Sequence, residues 1–592
     1  MSARAARGGA APTPRRRGRR PSDPVTREVV ASSLVSAAEE MSRALRRSAY
    51  SAIIYDMLDY SCAIFGPRGE LISQAENLPA QLGVMSSVIA HLLRKFGDGG
   101  LEPGDIVIAN HPYHGATHAN DVIIALPLYA EGRLMGLAAT NAHHMDVGGK
   151  TAASEAADAV EVWQEGLLLP LVKLYRAGEP NDALFDVIAA NVRVPKETLG
   201  DIRAQIAACR TGERRFAAIC ERHGADALQS YIADMWDSTE AVVRDGLRRM
   251  RPGTYHAVGL MDPDLYDDRP LRLEVTITVS SGDVHADFSG TAPQTRGSLN
   301  CPLSSTISSV WYAVRCMIGA DVAQNEGAYR AITTHVPEGC LLNPVFPAPV
   351  SVRHLTEQKV ADLMLQALLG ACPERSAAGC SVSFPTFNIT GLDAATGEPY
   401  MAADIVGGGM GGHAAGDGVS AVDTHMGNCA MMSAEALEVE APLRVLRTEL
   451  VPDSGGTGEH RGGLALERWY EVLADSANIS GRYADQTREE TRPWAAEGGA
   501  AGARAAVTLD PGGPHEREIL GKGVDLRLQR GDTFALRSSG GGGWGDPRRR
   551  ARNQVRADLR DGYITAEQAR DVYGLVAEDR PWPVEATWRR EE

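Results

Sequence analysis

Between Thr26 and Arg47 the apolar residues Val29, Val30, Leu34, Ala37, Met41 and Leu45 recur at three- and four-residue spacing, which predicts an amphipathic helix. The period then changes. CAIFGPRGELISQ (62–74) sets two short apolar runs around Gly66-Pro67-Arg68-Gly69 and predicts a hairpin. A second helical stripe covers Val84 to Phe96, and the turn Glu102-Pro103-Gly104-Asp105 leads into a strand at IVIAN. VIIALPL (122–128) and LMGLAAT (134–140), joined through Tyr129-Ala130-Glu131-Gly132-Arg133, predict a further hairpin. Residues 181–250, rich in Ala, Arg, Glu and Leu, predict two or three helices forming an insertion or arm. From Gly253 alternation returns in YHAVGLMD, LRLEVTITV and DVHADFSG, the pattern of half-buried antiparallel strands. A helix around 355–371 follows, then a Gly-rich, strand-like region to 545. The stripe in VRADLRDGYITAEQARDVYGLV closes the chain with helix.

The fold class this implies is α+β: an N-terminal α/β unit, a helical insertion and a larger β-rich C-terminal part. The expected segments are a disordered basic tail (1–22), an N-terminal domain (23–180), the helical insertion (181–250), a β-rich core (251–545) and a C-terminal helical tail (546–592). A length of 592 residues agrees with two or three domains, since one core seldom grows so large. Apolar and charged fractions of 44% and 23% are those of a soluble globular protein, and no run of eighteen apolar residues offers a membrane span. Nine cysteines without a CxxC pair provide neither a disulfide framework nor a zinc ribbon, so a reducing cytoplasm is the expected location.

The net charge of −16 conceals seven arginines and no acid in residues 1–22, which leaves a strongly acidic body. Such a body offers nucleic acid no basic face. The tail itself has no apolar stretch of the kind a secretory signal needs.

Candidate chemistry gathers at the open end of the second hairpin, in HGATHANDV and NAHHMDVGG. Counting outward from a turn at Glu131-Gly132, Asp121 falls opposite His143, with facing Cα atoms ~4.5–5.5 Å apart. His118, three residues ahead of Asp121, can fold over the same point. Two imidazoles and a carboxylate with open coordination positions suit a borderline divalent cation, which makes this a metal-binding hairpin. His144 is the other possible ligand, because consecutive strand residues face opposite ways. His144 or Asp146 could instead orient a ligand.

Taken together, YDMLDYSCAIFGPRGELI (55–72), NHPYHGATHANDV (110–122), NAHHMDVGG (141–149), EVWQEGLLLPLVKLY (161–175), DFSGTAPQTRGSLN (287–300), VPEGCLLNPVFPAPVSVR (336–353), PDSGGTGEHRGGL (452–464), SGGGGWGDP (539–547) and DGYITAEQARDVYG (561–574) resemble the hydantoinase B/5-oxoprolinase B family. That family includes the metal-bearing subunits of acetone and acetophenone carboxylases. The resemblance runs in order from about residue 24 to 578 and makes 251–545 the hydantoinase B/oxoprolinase core. It implies a hetero-oligomer in which a HyuA-type partner binds ATP and phosphorylates the carbonyl of a cyclic amide such as a hydantoin, 5-oxoproline or a lactam. The B-type subunit then completes hydrolysis at a zinc or manganese centre. The resemblance places the metal ligands on His118, Asp121 and His143, in agreement with the strand register. It makes Asp59, in LDYS, a candidate acid/base or substrate-positioning carboxylate, with Glu161 and Glu165 as further candidates.

One departure stands out. Relatives commonly read HIPVHLG where this chain has Asn77-Leu78-Pro79-Ala80-Gln81-Leu82-Gly83, so two histidines are replaced by amides that do not titrate. This departure lends some support to one alternative to the hydrolase, a subunit of an ATP-dependent acetone/acetophenone-type ketone carboxylase; a non-catalytic scaffold for the ATPase is a second alternative, against which the intact His118, Asp121 and His143 argue. Neither GGGMGGHAAGDG nor SSGGGGWGDP has the spacing of a nucleotide-binding loop, and no GxSxG elbow occurs, which leaves ATP to the partner.

Overall fold

The computed structural model describes residues 23–97, 99–319, 321–392 and 396–575. The basic tail expected at 1–22 and the part of the C-terminal tail beyond 575 lie outside the described residues.

Helix α1 (Pro24–Ser48) starts where Asp23 accepts a hydrogen bond from the Thr26 amide at 2.9 Å, and it ends on Arg46 and Arg47. Its buried stripe is Val30, Leu34, Ala37, Ala38, Met41 and Leu45, while Val29 faces outward. After the short α2 (Ala52–Tyr55) come β1 (Tyr60–Phe65), β2 (Leu71–Gln74), α3 (Pro79–Phe96), β3 (Ile106–Ala109), β4 (Asp121–Ala130), β5 (Arg133–His143), β6 (Val172–Arg176) and β7 (Glu179–Pro180). The strands form one antiparallel sheet in the order β2-β1-β5-β4-β3-β6-β7.

Both faces of this sheet are covered, which explains why its strands read as near-continuous apolar runs. Cys62, Ile64, Ile124 and Ala138 pack to one side, against α1; Ala63, Phe65, Ala125 and Leu137 pack to the other, with Val88 and Leu92 of α3. The helices of 181–250 are α4 (Asp182–Asn191), α5 (Pro195–His223) and α6 (Ala225–Arg249). Helix α5 lies along α1 and against β4 and β5, so it covers the sheet rather than projecting as a free arm.

A second sheet, in the order β11-β10-β9-β8, contains β8 (Gly253–Met261), β9 (Leu271–Ser280), β10 (Asp283–Asp287) and β11 (Ile332–His335). Helices α7 (Leu303–Ile318) and α8 (Arg353–Leu368) pack with it and with α3, so the first two sheets share a core. Helix α7 has no counterpart in the sequence reading. LSSTISSVWYAVRCMI is rich in Ser and in β-branched and aromatic residues, and burial against α3 and α8 overrides that weak local preference. Helix α8 is buried on nearly every side and carries Arg353, Glu357, Lys359 and Asp362 inward.

The C-terminal part begins with β12 (Thr386–Leu392), β13 (Pro399–Ile405), α9 (Ala434–Glu440), β14 (Leu443–Leu450), β15 (Leu466–Val472) and β16 (Ser476–Tyr483). It continues with β17 (Ala506–Leu509), β18 (Arg517–Ile519), β19 (Leu526–Gln529), β20 (Thr533–Arg537), α10 (Arg552–Arg560) and α11 (Ala566–Asp571). These strands form sheets ordered β13-β12-β16-β19 and β14-β15-β20-β17-β18 over a further core, which also takes in Ile53, Met57 and Met145 from the N-terminal part.

The Gly-rich segments interlock through their backbones: Gly463 N donates to Met410 O at 2.8 Å, Gly541 N to Gly463 O at 2.9 Å and Gly412 N to Gly542 O at 2.8 Å. A Cβ on Gly541 would sit 1.9 Å from Met410 O. These amides hold the chain together instead of cradling a phosphate. Among the described residues no helix is long and apolar enough to cross a membrane.

Candidate metal centre

Asp121 opens β4 and His143 closes β5, and the two are partners across the ladder. A one-residue irregularity between Leu128 and Tyr129 absorbs the mismatch at the turn and leaves the open end in register. His118 approaches through a tight turn in which Asp121 N donates to His118 O at 3.2 Å. Its Nδ1–H donates to Ser351 O at 3.0 Å, which fixes the ring and leaves Nε2 buried without a hydrogen-bond partner.

That free nitrogen lies 3.6 Å from Asp121 Oδ2, and His143 Nδ1 lies 3.9 Å from Asp121 Oδ1 and 3.7 Å from Asp59 Oδ2. The two imidazole centroids are 5.0 Å apart. His118, His143 and Glu155 each bring one ligand atom within 4.8 Å of the others. Such separations are too long for hydrogen bonds. They suit donors around one ion, since two bonds of ~2.0–2.1 Å at the tetrahedral angle place their donors ~3.4 Å apart. The orphaned His118 nitrogen and this donor set fit a divalent cation.

The surroundings keep Asp121 anionic. Thr117 Oγ1 donates to its Oδ2, Arg353 Nη2 reaches the same oxygen at 3.0 Å, and Gln81 Nε2 donates to Oδ1 at 3.3 Å. Burial opposes ionisation, but the neighbouring His118 and the Arg353 guanidinium outweigh it and hold the carboxyl far below the usual range. Burial and His118 push His143 down to about 3, so its ring is neutral and able to ligate. Asp59 behaves oppositely: burial and the Asp121 charge lift it well above an ordinary carboxyl. Asp59, His143, Glu155 and Arg353 line a cavity of about 90 Å³ together with apolar groups such as Met57, Phe384 and Met426.

The hydantoinase B/oxoprolinase family profile matches residues 23–547. The chain belongs to the hydantoinase B/oxoprolinase family. It is 33% identical over 574 residues to the B-type subunit of a putative D-/L-hydantoinase from Pseudomonas sp. (strain NS671), a match covering 94% of this chain and 96% of that protein. Among solved structures, the ATP-dependent caprolactamase from Pseudomonas jessenii aligns with a TM-score of 0.87 at 27% identity, covering 95% of this chain and 98% of that one. Acetone carboxylase in its nucleotide-free structure also aligns with a TM-score of 0.87, at 19% identity over 95% of this chain and 80% of that one, and shares the fold.

In this hydantoinase B-family chain the structure sorts the residues that the sequence proposed. His118, Asp121, His143 and Asp59 converge. His144 does not join them: its ring turns to the other side of the strand, where Nε2 meets Gln205 Oε1 at 3.0 Å. Asp146 orients neither ligand; it binds Arg193 Nη1 at 2.9 Å and the Arg193 amide at 2.7 Å. Glu161 is exposed and lines no part of the cavity. Glu165 is buried behind the site, where Oε1 accepts from Val350 N and Ser351 N, both at 2.7 Å. It holds the Ser351 carbonyl that orients His118, and so is a positioning group. Burial lifts its carboxyl to about 8.

Gln81, where the family resemblance leads one to expect a histidine, donates to Asp59 Oδ1 at 2.6 Å. Sequence reasoning missed Glu155 and Arg353. Arg353 left a faint signal in VRHLTE, where Arg353 and Glu357 stand one helical turn apart and pair at 3.3 Å. Glu155 sits in an irregular segment with no periodicity to reveal it, and Asn388 Nδ2 donates to it at 3.0 Å.

Proposed function

We propose that this chain is the B-type subunit of an ATP-dependent cyclic-amide hydrolase and acts on a carbonyl that a HyuA-type partner has phosphorylated with ATP. The observation that carries this reading is the convergence of His118, Asp121 and His143 beside a small cavity, with the His118 nitrogen open. These three would hold a zinc or manganese ion, with Glu155 in reach as a further oxygen donor. When bound, such an ion polarises a carbonyl oxygen and makes water acidic enough to react near neutral pH.

The chain's own residues supply the rest. Ser351, pinned by Glu165, keeps the His118 ring aimed. Arg353 and Thr117 fix Asp121, and Gln81 ties Asp59 to Asp121 and leaves Asp59 Oδ2 3.7 Å from His143 Nδ1, both side chains lining the cavity. At that position Asp59 can align water or exchange a proton with the ring nitrogen that leaves. Phe384, Met57 and Met426 give the cavity an apolar wall that limits bulk water around the phosphorylated carbonyl, whose phosphoryl group would otherwise be lost to water without ring opening.

The test is co-expression with the HyuA-type subunit, followed by assays of ATP-dependent ring opening on hydantoins, 5-oxoproline and lactams. Turnover requiring both subunits and ATP supports the reading. Asn77 and Gln81, which replace two titratable rings, favour ketone carboxylation as the second reading. ATP-dependent consumption of a ketone that requires bicarbonate, with no ring opening, would establish that reading instead. A partner ATPase with full activity on a chain lacking His118 would leave only the scaffold.

A further inference from the structure

Helix α8 also contributes to a second constellation, which shares no residue with the centre described above. Asp362 from its C-terminal half, Cys380 from the following segment and His425 from the loop 423–429 each place one ligand atom within 4.8 Å of the other two. All three are buried, at 1%, 2% and 7% exposure. Both ring nitrogens of His425 lack a hydrogen-bond partner, although polar atoms withdrawn from water are otherwise paired. The nearest anionic oxygen, Asp362 Oδ1, is 3.6 Å from Nε2. That is too long for a hydrogen bond and close to the ~3.4 Å between two donors on one tetrahedral ion.

The other groups present the three ligands to a common point. Asp362 Oδ2 is held by Lys359 Nζ at 3.2 Å and Trp494 Nε1 at 2.9 Å, and Oδ1 accepts from Cys380 N at 3.1 Å while still facing His425. Gly411 N donates to Cys380 Sγ at 3.3 Å, an amide contact of the kind that steadies a ligating sulfur. His425 is fixed in the left-handed region at φ 50°, a strained setting for a non-glycine residue, and Met426 N donates to Gln358 Oε1 at 3.1 Å. Strain of this kind persists where something in the surroundings holds it.

We propose that Asp362, Cys380 and His425 form a second divalent-metal site, with the oxygen, sulfur and nitrogen donor set of a zinc ion, that clamps loop 423–429 onto α8. A sulfur ligand selects zinc over manganese, magnesium or calcium, so the two centres discriminate between ions by their donors. The clamp bears on the cavity from behind. Asp423, Met426 and Cys429 of the clamped loop form part of its wall, and α8 presents Arg353 and Glu357 to it.

The experiment uses the full-length chain, stripped of metal and reloaded with cobalt, read by near-ultraviolet absorption and by metal content. His118, Asp121, His143 and Glu155 include no sulfur, and Cys429→Ser removes the thiol in that cavity's wall, so a thiolate-to-cobalt charge-transfer band that survives Cys429→Ser reports the second site. The expected result is a band in the wild type that Cys380→Ser abolishes together with one ion per chain, and that His118→Ala leaves intact. A wild type without the band, a band that survives in Cys380→Ser, or a single ion lost entirely in His118→Ala would each overturn the proposal. If Cys380→Ser does not fold, the wild-type spectrum and the loss of the band in His425→Ala still decide the matter. A band with one ion that His118→Ala retains would support this site while removing the other.

Discussion

Glu165 offers a quantitative test of how the centre is supported. Burial raises its carboxyl from the ordinary 4.5 to about 8, so the folded chain keeps a proton there that the unfolded chain releases. The stability this contributes is fully present below pH 4.5 and is lost as pH rises through about 8. At ~1.4 kcal/mol per pH unit, the loss across that window is on the order of 5 kcal/mol. Glu165→Gln keeps an oxygen for the Val350 and Ser351 amides but cannot ionise. Thermal unfolding midpoints measured from pH 5 to 9 should therefore fall more steeply for the wild type than for the Gln variant, with the curves diverging as pH rises. Glu165→Ala strands two buried amides at about 1–3 kcal/mol each and releases the Ser351 carbonyl, so it should weaken metal binding ~10–100-fold while Gln leaves it near wild type. Parallel midpoint-versus-pH curves for wild type and Gln, or Ala binding metal as tightly as Gln, would refute the reasoning.

Other substitutions probe separate parts of the molecule. His144→Ala removes the Gln205 contact and leaves a cavity where a fully buried ring stood, so metal content by mass spectrometry should be unchanged although the unfolding midpoint drops by the equivalent of ~2–4 kcal/mol; loss of an ion would return His144 to the ligand set. Gly541→Ala puts a methyl group 1.9 Å from Met410 O within a rigid backbone lattice, so the yield of soluble protein should collapse, and a wild-type midpoint would show that the lattice yields easily. Arg353→Met leaves Asp121 without its cationic partner beside the cavity and should cut ATP-dependent turnover at least tenfold with the HyuA-type subunit present; unchanged turnover would remove Arg353 from the site.

What the sequence disclosed was whatever is local. The pairing of Asp121 with His143 follows from two apolar runs and one turn, because strand periodicity propagates register from the loop to the open end. His144 remained ambiguous for the same reason, since a slip of one residue exchanges the two rings between faces, and only the Gln205 contact shows which one turned away. Glu165 was visible as an acid near the right motif, yet its partners lie 185 and 186 residues downstream, and no local pattern reveals a carboxylate that holds another segment's backbone. Glu155 and Arg353 escaped for the same cause. Helix α7 escaped for another: its Ser-rich, β-branched sequence becomes helical through burial between α3 and α8.

The central claim is that His118, Asp121 and His143 together hold one divalent ion. Metal content of the purified full-length chain, wild type against His118→Ala/His143→Ala, measures it most directly by elemental mass spectrometry. The predicted result is a loss of about one zinc or manganese per chain in the double variant, with the fold retained by circular dichroism. Equal metal content in the two folded proteins would contradict it.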